Sequence, residues 1–231
     1  MTRTSWSAEE LRTLLSAVSH DLRTPLSVIT GRASVLRETV REDHRRDLDT
    51  IVHEAHRLSR TLENLLAITE ATRETTPREW VPFEELVGGV LARLESSLEG
   101  RPVELEVPDD LLVHIDPVRG ELLLANLLDH AATHTPADTP LELTAKRDGR
   151  AVAIEVATRS PELQAAQVQQ LVTQPAARAD GLALAACQKI ITSYGGTLEA
   201  CERDGGGTVF HIHLPDGEAL PDLADPSKEV D

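Results

Sequence analysis

Two cysteines, and no apolar run of the roughly 20 residues that a membrane-spanning helix needs, are the first absences in this 231-residue chain. Cys187 and Cys201 are too few for a disulfide framework or a cysteine-built metal site, and they fit a reducing compartment. The opening MTRTSWSAEE lacks the apolar stretch of a signal peptide. Together these absences predict a cytoplasmic chain with no membrane partner. Positive charge is also scarce: 23 Lys and Arg stand against 39 Asp and Glu, a net −16. The deficit is local. Residues 1–73 hold 11 basic and 11 acidic side chains, so the other 12 basic and 28 acidic ones carry the whole excess. Such a surface repels phosphate backbones and argues against nucleic acid as a partner.

What is present begins with helical periodicity. Apolar residues recur at Leu11, Leu15, Val18, Leu22, Ile29 and Leu36, predicting a helix from about Ser7 to Thr39 with a narrow apolar seam. The charged stretch Arg41 to Asp47 reads as a turn. A second helix follows, with Leu48, Ile51, Ala55, Leu58, Leu62, Leu65 and Ile68 as its stripe. Two such helices cannot cover their stripes alone, whereas two hairpins paired as a four-helix bundle can. A homodimer is therefore expected. Thr75, Thr76 and Pro77 read as a short polar linker.

From Glu79 the pattern becomes mixed. Phe83 to Leu98, Asp116 to Ala132 and Gly181 to Tyr194 read as helices, the last ended by Gly195-Gly196. Val103 to Val107 alternates like a strand. Leu141–Thr144 and Val152–Val156 flank the Asp148-Gly149 turn, and Leu198–Cys201 and Val209–Leu214 flank Gly205-Gly206-Gly207. The fold class expected is an α hairpin forming a dimeric four-helix bundle, followed by an α/β sandwich. The Pro-rich acidic segment 216–231 reads as a disordered tail.

The densest signal is Ser19-His20-Asp21-Leu22-Arg23-Thr24-Pro25. At about 100° per residue, His20 lies roughly 200° from both Val18 and Leu22 and so faces away from the seam. Thr24 shares its face one turn on, and Asp21 is adjacent. Pro25 removes the hydrogen bond that the Asp21 carbonyl would accept, which loosens or kinks the helix there. A lone helical histidine is usually a solvated side chain, but this whole string resembles the phosphoacceptor box of bacterial sensor histidine kinases. AVSHDLRTPLSVITG and HRLSRTLENLLAITEA resemble the hairpin helices of the potassium-responsive branch of that family. The order of elements after Glu79 likewise resembles the family's ATP-binding domain. The resemblance implies a hairpin over 1–74, an ATPase-like domain over 75–215, and His20 as the residue that carries phosphate. It further implies that Asp21 orients the ring and that Thr24 positions water for dephosphorylating a receiver domain.

The family's nucleotide motifs are altered here. The asparagine box reads Asn126-Leu127-Leu128-Asp129-His130-Ala131, so His130 stands where the family has its magnesium-bearing asparagine, and Thr133 where it has a basic residue. Imidazole is a poor magnesium ligand. The first glycine box falls on Thr158 to Glu162, with Thr158 for the adenine-reading aspartate and Ser160 and Glu162 for glycines. The second reads Ala179-Asp180-Gly181-Leu182-Ala183-Leu184, where Gly181 alone survives. The lid between them is short and has no aromatic gripping motif. At roughly 1.5–3 kcal/mol for each lost charge-assisted hydrogen bond, these changes predict no useful ATP site.

The expectation is therefore a dimeric histidine phosphotransferase with no cofactor and no metal, exchanging phosphate between His20 and the aspartate of response-regulator receiver domains. A sensor kinase is a further possible partner, and with no sensor domain ahead of the hairpin any signal would arrive through another protein. A divergent ATP-dependent histidine kinase, or receiver phosphatase, and a non-catalytic receiver-binding adaptor remain as alternatives. Arg41, Arg45, Arg46, Arg57 and Arg60 read mainly as a solvated face, with some available for an acidic partner. His211 and His213 share a strand face without visible acidic or sulfur partners, and His53 and His56 read as solvated.

Overall fold

A computed structural model describes residues 8–217 except 71–77, 96, 99, 161–163, 174–178 and 205. The linker expected at 75–77 and nearly all of the expected tail lie outside the described residues. Helix α1 (Ala8–Thr39) and helix α2 (Glu42–Glu70) form the hairpin. The stretch Arg41–Asp47 is not the turn it was expected to be. Six of its seven residues are charged, yet none breaks a helix, so α2 simply starts early and the turn shrinks to Val40 and Arg41. Helix α1 runs through Pro25 without interruption.

Beyond the hairpin come β1 (Glu79–Pro82), α3 (Phe83–Arg93), β2 (Val103–Glu106), β3 (Leu112–Ile115), α4 (Pro117–Thr133), β4 (Leu141–Asp148) and β5 (Ala151–Thr158). They are followed by α5 (Ala165–Thr173), α6 (Ala179–Ser193), β6 (Thr197–Glu202) and β7 (Thr208–Pro215). The main sheet has the order β2-β4-β5-β7-β6, with β2 parallel to β4 and the other pairs antiparallel. Helix α3 stops at Arg93, short of the Leu98 expected.

One face of the sheet is covered and the other is open, as β7 records residue by residue. Phe210, Ile212 and Leu214 point into the core, while His211 and His213 are exposed. Leu123, Leu124, Leu127 and Leu128 of α4 and Leu184 and Ile190 of α6 complete that core, each essentially inaccessible. Burial of such side chains contributes about 1.5–3 kcal/mol each and makes this layer the rigid platform of the molecule. Gly207 ties two strand ends together. Its φ of 100° suits glycine, and a Cβ there would meet the Thr158 carbonyl at 2.0 Å.

A second, two-stranded sheet pairs β1 with β3. Beside it the expected tail is corrected at its first residue: Asp216 is buried and accepts a hydrogen bond from Arg147 Nη1 at 2.5 Å. Its backbone carbonyl lies 2.6 Å from His114 Nδ1, so the chain is pinned here instead of trailing into solvent.

Candidate functional site

Two places gather the chemistry. The first is the middle of α1, where helical geometry sorts neighbours onto opposite faces. Ser19 is buried at 1% exposure, whereas the side chains of His20 and Asp21 are 80% and 83% exposed. His20 Nδ1 lies 3.3 Å from Asp21 Oδ1. With Nδ1 protonated and donating to the carboxylate, the Nε2 lone pair points outward and is free to act as a nucleophile. Thr24 is exposed one turn further on. The hydroxyl of Ser27 donates to the Arg23 carbonyl at 3.0 Å, a side-chain bond within the proline-perturbed turn.

The second is a cleft of about 180 Å³ between α2 and the N-terminal side of α6, floored by α4. Helix α4 is fixed at both ends. Asp116 caps its start, accepting from Val118 N at 2.9 Å and Arg119 N at 3.3 Å, with Pro117 in the first turn. At its other end Arg101 donates to the carbonyls of Ala132, Thr135 and Thr139 and to the Thr135 hydroxyl. Between these anchors Asn126, Asp129, His130 and Thr133 face the cleft. Asn126 is buried, and its amide donates to Asn64 Oδ1 of α2 at 2.7 Å. Arg60 of α2 reaches Asp129 at 3.4 Å, and Arg93 bonds to Glu63 nearby. His130 is buried, its ring 4.5 Å from that of His134.

Of the altered positions, Thr158 is buried at the end of β5 and its hydroxyl accepts from the Ser160 amide at 3.4 Å. Gly181 is buried near the start of α6, and Ala183 lines the cleft. Glu162 lies outside the described residues. The donor set fits a magnesium nucleotide in chemistry. Asn126 and Asp129 offer the oxygen donors magnesium prefers, and Arg57 and Arg60 offer cations to phosphate. The imidazole of His130 is a poor magnesium ligand.

Residues 10–74 match the family model of the His Kinase A (phospho-acceptor) domain. Residues 115–218 match the model described as histidine kinase-, DNA gyrase B-, and HSP90-like ATPase. The chain belongs to the bacterial two-component histidine kinase family. Among curated relatives, the sensor protein KdpD of Escherichia coli is 33% identical over 229 residues, covering 93% of this chain and 25% of KdpD. The sensor histidine kinase CssS of Bacillus subtilis is 26% identical over 216 residues, covering 90% of this chain and 47% of CssS. This chain thus spans a quarter to a half of the length of these relatives. Full-length ShkA in complex with AMPPNP shares the fold at a TM-score of 0.64 and 22% identity, over 90% of this chain and 47% of that one.

These likenesses overturn the expectation of a phosphotransferase that dispenses with ATP. The ATPase model matches residues 115–218, the part of the domain that carries all three altered boxes, and the matched relatives are sensor kinases. The boxes supply only part of the cleft lining. As folded, the cleft also receives side chains from α2, which no motif of the domain contains.

Other expectations change too. Arg60, expected on a solvated face, is largely buried beside Asp129 of α4, whereas Arg45 and Arg57 stay exposed and pair with Glu42 and Glu54 of their own helix. His56, expected in solvent, is half-buried, and burial followed by the nearby Arg60, His53 and Arg93 lowers its imidazole below the usual value. His211 does have an acidic neighbour, Glu155 at 3.2 Å on the adjacent strand. Cross-strand pairing supplied it, which sequence spacing cannot display. No helix among the described residues is long and apolar enough to cross a membrane.

Proposed function

We propose that this chain is the catalytic part of an ATP-dependent sensor histidine kinase with His20 as its phosphoacceptor. One observation supports the reading above the others: an exposed, aspartate-paired imidazole and a domain matching the ATPase family model occur in one chain. Asp21 holds the proton on Nδ1 and stabilises the cationic ring that forms as Nε2 attacks. The Nε2–phosphorus bond forms, the bridging bond to the γ-phosphorus breaks, and ADP leaves with that electron pair. Bound magnesium would neutralise charge on the phosphates, held through Asn126 and Asp129. A response-regulator receiver then takes the phosphoryl group onto its aspartate. Thr24, on the same helix face as His20, is suited to holding a water that hydrolyses the receiver's phosphoaspartate to release phosphate. A homodimer is part of this reading, since the hairpin leaves Val18, Leu22, Ile29, Leu36, Ile51 and Leu58 exposed.

Incubation with γ-labelled ATP and magnesium tests the proposal. An acid-labile, base-stable label that disappears in His20→Ala is the expected result. Absence of both label and saturable nucleotide binding overturns it.

A further inference from the structure

Building on the kinase reading, we infer that Arg57 and Arg60 of α2 are phosphate-binding residues of the nucleotide site, so that the site is complete only with the hairpin against the domain. The first ground is charge. Among the described residues, the cleft walls contributed by α4 and α6 hold no Lys or Arg, and Thr133 faces the cleft where the family resemblance implies a basic residue. The acidic excess of the chain also lies wholly beyond residue 73. Among the described residues, a polyphosphate entering this cleft meets guanidinium groups from α2 alone.

The second ground is placement. Arg57, Arg60 and Asn64 are spaced three and four residues apart and share one helix face. That face is pressed against α4: Asn64 is buried at 4% exposure and bonded to Asn126, and the Arg60 side chain is only 12% exposed beside Asp129. Arg57 lies one turn earlier, 55% exposed and paired with Glu54 of its own helix. Neither pairing prevents a switch of partner. An exposed i,i+3 pair is weak, and a guanidinium binds phosphate through two parallel, charge-assisted hydrogen bonds. When Arg60 turns to phosphate, it frees the Asp129 carboxylate, an oxygen donor suited to magnesium.

The test is equilibrium binding to the full chain, comparing magnesium-ATP with adenosine by calorimetry. Arg57→Gln and Arg60→Gln should each weaken ATP binding by about tenfold, the worth of one charged hydrogen bond, while adenosine binding stays unchanged. Raised salt should weaken ATP binding to the wild type more than to the double variant. Arg57→Gln alters a half-exposed residue paired only within its own helix, so it reads the phosphate contact even if Arg60→Gln loosens the packing of α2. Unchanged ATP affinity in both variants overturns the inference and leaves the kinase reading standing. Equal losses for ATP and adenosine also overturn it, because they report a disturbed cleft and not a lost phosphate contact. A wild type that binds neither ligand overturns the kinase reading together with this one.

Discussion

Cys187 and Cys201 sit in different environments. Cys187 is inaccessible within α6, and burial pushes its thiol up to about 12, while Cys201 is half-buried on β6. Thiolate is the reactive form, so Cys187 is inert in the native state. Iodoacetamide at pH 8 should add one group to the folded protein, at Cys201, and two after denaturation. Mass spectrometry of native protein carrying label on Cys187 would contradict that burial. The same contrast marks which single residues could be read from sequence. The exposure of His20 and the proximity of Asp21 were legible, because one helix turn fixes both. The partners of Asn126 and Asp129 were not, because Asn64 and Arg60 lie more than sixty positions away in the chain.

At the scale of elements, long periodic segments could be read, and of the four-residue strands only β2, through its alternation. Helix α4 announced itself through Asp116-Pro117 and an apolar stripe, and both hairpin turns of the main sheet through their glycines. Strands β1 and β3 have only four residues each and hold together by pairing with one another. Helix α5 has nine residues, rich in Gln and Ala, too few to establish a period. The C-terminal anchor of α4 was equally hidden, because Arg101 reaches it from the loop before β2. Arg101→Ala should lower unfolding stability by about 2–4 kcal/mol, since it strips several buried carbonyls of a charged donor at once. Urea denaturation checks this, and a loss under about 0.5 kcal/mol, the scatter of ordinary surface changes, would rule it out.

A second element-level clamp depends on pH. Glu142 of β4 holds Arg203 at 2.6 and 2.8 Å and Arg159 at 2.8 Å, joining the strand to the turn after β6 and the end of β5. The hydrogen bond from Arg203, with the charges of both arginines, outweighs burial and lowers the Glu142 carboxyl below its usual value. A lowered carboxyl stabilises the folded state above its ordinary titration range and loses that contribution as acid protonates it. Wild type should therefore melt above Glu142→Gln near pH 7. The gap should close as pH falls below about 4.3, the unperturbed glutamate value. A gap independent of pH would show that charge on Glu142 is not what stabilises the clamp.

At the scale of the whole molecule, one protomer leaves its hairpin half covered. The domain packs on the later turns of α2, where Asn64 and Ala67 are buried, but Val18, Leu22, Ile29, Leu36, Ile51 and Leu58 remain 41–52% exposed. These six lie along the stripes that the sequence assigned to a bundle seam. They are too many, and too regularly spaced on α1, for scattered surface residues. A second hairpin would bury them, each contributing up to about 1.5–3 kcal/mol. Leu58 is the sharpest probe, because it is 52% exposed in the protomer and far in sequence from His20. Leu58→Asp should leave the protomer folded, with unchanged far-UV circular dichroism. It should shift the mass in sedimentation equilibrium at micromolar concentration from dimer to monomer, since an unpaired carboxylate in an apolar seam costs several kcal/mol. A wild type that sediments as a monomer would mean that the stripe is covered by something other than a second copy. A Leu58→Asp dimer as tight as wild type would place the seam on another face of the hairpin.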